Sequence, residues 1–553
     1  MSGGGRGARE RAGMSWRGGA RALLPLLLLS SVGCAGLFKG YDRAPDGLLR
    51  ADWELRRQLV EGTPDTLLLG FAPNTDLLPD DELLRALYQG ALARYAGQPA
   101  AAAERLTLAE MLAEDRYTKS VSRSLLSLVT GDAALPYEPV PAERALIHYF
   151  GALAWLDQDH PDEAAVEARR LSALLDRAEA DGHAPGPLAP FLRTFAGAVF
   201  EAAGEWNDAG VAYRKAAVAR GASPDSVPFP ERAGDGMGDV VVLVERGFVA
   251  HQVEEGIIVA LSGAQVERLT GGEADDRAAL AGEIAARALL RIADPYPRRF
   301  GDGGRTVFVD LSRERWDDPR WREECREERR WSEAPDSARG APRLPLPALA
   351  GDSVRAAPAR ADTRPASNPA PPHAKSRCAG DEDGDRGDDV NPYLLRMAWP
   401  AFRDERPGPA PLRVRADSLL VAEFALGAPL SDAVMAGYDD RREWVLARMV
   451  ARGATKLALT RSVEKKVGEK DEAVGRLLGF LTNAGTALLE QADTRTWHLL
   501  PAGVSMARLR LPPGTHTLSV EVLGAAGATR TVELPGVRVR AGEVAFASTR
   551  LWR

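Results

Sequence analysis

Residues 197–216, GAVFEAAGEWNDAGVAYRKA, read as two amphipathic helical segments broken at Gly204-Glu205. Gly197, Phe200, Ala209, Tyr213 and Ala216 fall where small residues let two antiparallel helices approach, with larger side chains one turn on to fill the adjacent holes. Toward the N-terminus the same offsets carry Ala152, Trp155, Ala164, Ala168 and Leu171. A weaker copy has Gly90, Ala93, Ala102, Leu106 and Ala109. The chain from Leu48 to Gly221 is rich in Ala, Leu, Glu and Arg, with turns at Gly97-Gln98-Pro99 and His160-Pro161-Asp162. These features predict a helical domain over 48–221, irregular in spacing because Tyr117–Pro139 intervenes.

The offsets resemble those of tetratricopeptide repeats. The resemblance implies a concave partner-binding face, for which Tyr149, Trp155, Glu167, Arg169, Arg170 and Tyr213 are the candidates, since aromatic and Arg residues dominate such interfaces. The alternative for Glu143, Arg144, Glu167, Arg169 and Arg170 is an interhelical ion-pair set that fixes register. His148, beside Tyr149 and Phe150, reads as a packed or edge histidine.

Past Asp225 the texture changes. Val240–Val244 is a continuous apolar run of the kind a buried strand shows, Ile257–Leu261 and Arg305–Asp310 are further strands, and Ala278–Ile292 is helical by pattern. A small α/β module is expected over 226–315. Pro342–Pro372 lacks aromatic residues and has few large apolar ones, so 316–390 reads as a disordered insertion that cannot offset its ordering entropy. Over 391–553 a C-terminal part combines strands at 412–424, helices at 430–453 and 471–491, and an antiparallel β module. Its strands are expected at 504–511, 515–523, 529–534 and 543–550, with turns at Pro512-Pro513-Gly514, Gly524–Gly527 and Pro535-Gly536. Thr515, Thr517 and Ser519 alternate with His516, Leu518 and Val520, a period of two. The fold class is therefore α+β, helical hairpins first and a β-rich, sandwich-like part last.

The amino terminus carries a sorting signal. Arg17 and Arg21 precede the apolar run Ala22–Leu29, and Ser31-Val32-Gly33-Cys34 follows. The run is well short of the roughly 20 residues a spanning helix needs. Small residues before a cysteine resemble the bacterial lipobox, with Ser31 where Leu is usual. That implies a signal peptide over 1–33, lipidation of Cys34 and a tether over 34–47. Ala35 in place of Asp implies the outer membrane, periplasmic face. Met14 to Gly33 would already make a complete signal. Cys325 and Cys378 lie in or beside the low-complexity stretch without a CxxC or Cys/His cluster.

Chemistry is sparse. The chain contains no GxxxxGK[ST], HExxH or GxSxG, and the run from Asp381 lacks a calcium loop's Gly at the sixth place and has Pro392 instead of Glu at the twelfth. The net charge of -7 excludes a phosphate-binding basic surface, so no nucleic acid partner is expected. No catalytic residue, metal ligand or cofactor is assigned. The segment Glu490–Pro501 joins a predicted helix to the terminal strands. There Asp493, Arg495 and Trp497 form a structural corner or a ligand site. Ala473–Leu489, with one charge and glycines at 475, 479 and 485, is a candidate for self-association or for a helix buried on the sheet.

Together the lipobox, ERALIHYF at 143–150, VEARR at 166–170 and ADTRTWHLLP at 492–501 leading into LPPGTHTLSV resemble a little-characterised family of bacterial lipoproteins. The closing β segment also resembles PEGA-type surface modules. The resemblance implies an envelope-anchored, non-enzymatic protein that scaffolds other envelope proteins in assembly or export of a surface component. The alternative is a periplasmic hydrolase or a glycan- or small-ligand-binding protein with its site between the two halves.

Overall fold

The computed structural model describes residues 47–62, 78–123, 135–181, 186–262, 305–310, 393–441 and 490–552, apart from a few single positions, together with isolated residues between them. The signal and tether expected over 1–47, the insertion expected over 316–390, and the helices expected at 278–292 and 471–491 lie almost wholly outside them.

The helices are α1 (Arg50–Glu61), α2 (Glu82–Tyr95), α3 (Pro99–Arg123), α4 (Pro141–Leu156), α5 (Pro161–Ala180), α6 (Ala189–Ala202), α7 (Trp206–Ala219) and α8 (Leu430–Asp439). Helices α2/α3, α4/α5 and α6/α7 pack as consecutive pairs, and α3 on α4 and α5 on α6 join the pairs into an array. Pro at the start of α4 and α5 costs nothing, because the first-turn N–H has no helical acceptor anyway. The glycines show how close the pairs approach. A Cβ on Gly90 would fall 2.8 Å from Leu106 Cγ, and one on Gly197 2.6 Å from the Tyr213 ring. In the second pair the glycine that faces its partner helix is Gly151, where a Cβ would fall 3.4 Å from the Glu167 side chain.

The strands are β1 (Gly238–Arg246), β2 (His251–Leu261), β3 (Arg305–Asp310), β4 (Tyr393–Arg403), β5 (Leu412–Ala416), β6 (Leu420–Glu423), β7 (Leu426–Pro429), β8 (Gly503–Leu511), β9 (Gly514–Gly524), β10 (Gly527–Val539) and β11 (Val544–Leu551). They form sheets of order β11-β1-β8-β7, β10-β9-β5-β6 and β3-β2-β4. Sheet one is sandwiched. Val241 and Leu243 of β1 join the core of the helical array, while Val240, Val242 and Val244 meet Leu412, Val414, Leu518 and Val520 of sheet two. Both faces are covered, and this is why β1 reads as an unbroken apolar run. Strand β9 has only one covered face, so Leu518 and Val520 are buried and Thr515 and Thr517 exposed. The third sheet has its own small core of Ile257, Val259, Leu261, Leu395 and Met397.

Three expectations change. The segment 226–315 is not a module by itself: β1 lies inside sheet one and β2 in sheet three, since each strand's apolar faces are completed by residues far along the chain. The terminal strands are not wholly antiparallel, because β11 pairs parallel to β1. Pro535-Gly536 does not end a strand; β10 passes through it with a register shift between Leu534 and Val537, the bulge absorbing the missing N–H of proline.

Candidate functional site

Polar groups between the helical array and the sheets are numerous, and they are sealed. Glu143 opens α4 and is fully buried. Its Oε2 accepts from Tyr137 Oη at 2.6 Å and Val140 N–H at 3.0 Å, and its Oε1 from Trp497 N–H at 3.1 Å. Burial pushes this carboxyl up, against the pull of Tyr137 and the two N–H donors. Glu143 thus ties the 143–150 stretch directly to the 492–501 stretch. Trp497 is fully buried and packs on Phe150 at 5.4 Å between centroids. Arg495 holds Asp493 through both carboxylate oxygens at 2.7 Å and donates to Leu135 O, also at 2.7 Å. Asp493 also accepts from Arg495 N–H. These contacts hold the segment against α4 and the 135–140 stretch.

A second sealed group sits where α1 docks. Arg56 donates to the carbonyls of Val249 and His498, and Tyr88 Oη donates to Asp52. His498 lies 3.4 Å from Asp52 and 2.9 Å from Thr496 Oγ1. An Asp, a His and a hydroxyl in one row invite comparison with a nucleophilic triad. However, Thr496 is fully buried, and its oxygen lies near both ring nitrogens (3.3 Å from Nε2) rather than in line with one. Burial, with Arg56 and His251 beside it, pushes His498 well below its ordinary range, so the ring is neutral. Glu245, also sealed, accepts from Tyr95 Oη at 2.9 Å and from Tyr149 Oη at 3.3 Å.

A further charged cluster, partly open to solvent, lies where α3, α4 and α5 meet. His148 Nδ1 is 2.8 Å from Glu167 Oε2. Arg170 donates to Glu110 at 2.6 Å and to Glu167 at 3.0 Å. Arg144 donates to Glu114 at 2.8 Å. Burial raises the Glu110 carboxyl; His148 and Arg170 oppose the rise, and Glu167 and Glu114 add to it. The ligand atoms of Glu110, His148 and Glu167 all lie within 4.8 Å of one another.

The sequence candidates divide between these environments. Tyr149 is fully buried against Phe150, Phe191 and Phe195 and cannot touch a partner, which corrects its assignment to a binding face. The Tyr213 ring covers Gly197 and is largely spent on packing. Trp155 is half-buried and meets His160 edge-on. Glu167 is buried beneath Arg170, whereas Arg170 and Arg169 are exposed, Arg169 pairing with Glu205. Glu110 was not singled out from the sequence, and His148 was read as packing. The signal that could have found them is the i, i+4 spacing of Glu110/Glu114 and Arg144/His148. One groove, of about 230 Å³, lies beside β7 and β8, but its arginines are spent on the chain itself: Arg246 on the carbonyls of Gly408 and Ala410, Arg406 on Asp404 and Asp432.

A scan against protein-family models finds no match, and neither curated proteins nor solved structures provide one. No helix among the described residues is long and apolar enough to cross a membrane.

Proposed function

We propose that this chain is a lipoprotein held at the outer membrane, on its periplasmic face, through Cys34, and that its helical pairs form a tetratricopeptide-like scaffold for other envelope proteins. Belonging to the little-characterised lipoprotein family that the 492–501 segment resembles is part of the same proposal. The observation that carries the reading is the division of charge. The carboxylates of Glu143 and Glu245 between the halves are buried and bonded within the chain, while Arg169 and Arg170 on α5 stand exposed. The crossings at Gly90 and Gly197, each against the residue sixteen positions on, support the repeat comparison. Acyl chains contribute about 0.8 kcal/mol per buried methylene, so several suffice to hold a body of this kind at a bilayer. With α1 docked by Asp52 and Arg56, the body would stay within the short reach of the 34–47 tether.

Two measurements test the proposal. Metabolic fatty-acid labelling should mark the wild-type chain and not Cys34→Ser. A photo-crosslinking residue at Arg169 should capture a discrete envelope protein in intact cells, whereas one at the exposed Thr531 of β10 should not. Equal labelling of both forms removes the anchor; equal capture at both sites removes the binding face.

A further inference from the structure

We propose that Glu110, His148 and Glu167 form a site for one divalent transition-metal ion, and that the Arg170 guanidinium occupies it in the ion's absence. The inference is independent of the scaffold reading, because it concerns what the three side chains chelate and not what docks on them.

The donors come from three successive helices: Glu110 from α3, His148 from α4 and Glu167 from α5. His148 and Glu167 are buried and Glu110 half-buried, so the set is recessed and not a scatter of surface acid. One imidazole nitrogen with two carboxylates suits Zn²⁺, Mn²⁺, Fe²⁺ or Co²⁺, whereas Ca²⁺ and Mg²⁺ prefer all-oxygen shells. Bonds of about 2.0–2.2 Å would bring these donor atoms to within roughly 3–3.6 Å of one another. They now lie within 4.8 Å, so only side-chain adjustment is needed. Gly151, one turn after His148, leaves room for the Glu167 carboxylate against the backbone of α4.

Arg170 identifies the gap. Its Nη1 lies 2.6 Å from Glu110 Oε2 and 3.0 Å from Glu167 Oε1. A single positive charge thus serves two carboxylates, and Glu114 is already occupied by Arg144. A dication would balance both and would also coordinate a lone pair of the His148 ring, a bond that a guanidinium, with only N–H donors to offer, cannot form. The Arg170 side chain is 46% exposed, so it can withdraw into water with little loss. Two carboxylates crowded at Glu110 and Glu167 around one arginine supply the electrostatic demand.

The test uses the untagged full chain in detergent micelles, stripped with chelator and titrated with Co²⁺ while the visible d–d bands are followed. Zn²⁺ then competes, and Mg²⁺ serves as control. One equivalent of Co²⁺ is expected to bind and Zn²⁺ to displace it, with Mg²⁺ silent. His148→Ala and Glu167→Gln should weaken binding by more than roughly tenfold, the loss seen when even an outer-shell partner is removed. Glu110→Gln alters a half-exposed group and carries the claim should the buried variants fail to fold. Arg170→Met should tighten binding, as removal of a competitor must. The proposal is overturned if wild type and Arg170→Met both leave Co²⁺ spectra unchanged, if Glu110→Gln binds as well as wild type, or if Arg170→Met binds more weakly.

Discussion

Two carboxylate clusters share helix α4, little more than one turn apart, and they end in opposite states. At Glu143 the oxygens are filled by a phenol and two backbone N–H groups, and water does not reach the carboxylate. At Glu167 one oxygen faces His148 and the other an arginine whose side chain is nearly half in solvent. Backbone donors cannot leave without unfolding the segment that carries them, so Glu143 belongs to the fold. A long side chain at the surface can leave, so Glu167 belongs to an exchangeable site. The kind of donor, more than the charge, separates structure from a place where chemistry can be added.

The largest expected effect comes from breaking the closed cluster. Glu143→Ala would strand the Tyr137 hydroxyl and the N–H groups of Val140 and Trp497, at about 1–3 kcal/mol for each buried group left unpaired. With partial rescue by water, a loss of about 3–5 kcal/mol in urea unfolding is expected; a loss under about 1 kcal/mol would show that the 492–501 segment is held by packing alone. Next, Gly197→Ala would press a methyl into the Tyr213 ring. Overpacking costs about 1–3 kcal/mol, against which better helix propensity returns at most about 1 kcal/mol. Net destabilisation is expected, and a stabilised variant would refute the tight crossing of α6 and α7.

The histidines sharpen the contrast through pH. His498 is depressed by burial, so the unfolded chain takes up a proton near the ordinary 6.5 that the folded chain refuses. Its contribution is present above that value and lost as pH falls through it; urea midpoints should drop toward pH 5, and His498→Gln should flatten the drop. His516 behaves oppositely. Asp417 and the Pro512 carbonyl both accept from its ring, which raises it above 6.5. Its clasp on β9 is complete below 6.5 and is lost as pH rises through the raised value. Asp417, lowered chiefly by His516, lets go only as pH falls through its own depressed value. A titration of the His516 ring by NMR with a midpoint at or below 6.5 would refute the clasp. Smallest of all, Arg170→Met should change stability by no more than about 0.5 kcal/mol, as expected for an exposed pair. A substantially larger loss would place Glu167 with Glu143, as part of the fold.

Periodicity carried far where a pattern is local. The helical hairpins, the buried run of β1 and the alternation of β9 could all be read, because 3.6- and 2-residue periods report which faces are covered. Tyr149 was misplaced because an aromatic residue on a helix looks the same whether it faces a partner or Phe191 and Phe195. The parallel pairing of β11 with β1 joins residues some three hundred positions apart, and no local pattern encodes a partner at that distance.

The sequence by itself determined the order of helices before strands and the residues of the main strand faces, because each rests on neighbours in the chain. Only the tertiary structure decided that Glu143 reaches Trp497 and that Glu110, His148 and Glu167 point at one another. Whether a charged group is sealed or open depends on elements brought together by folding, and burial is a property of the surroundings, which no single residue carries in its name.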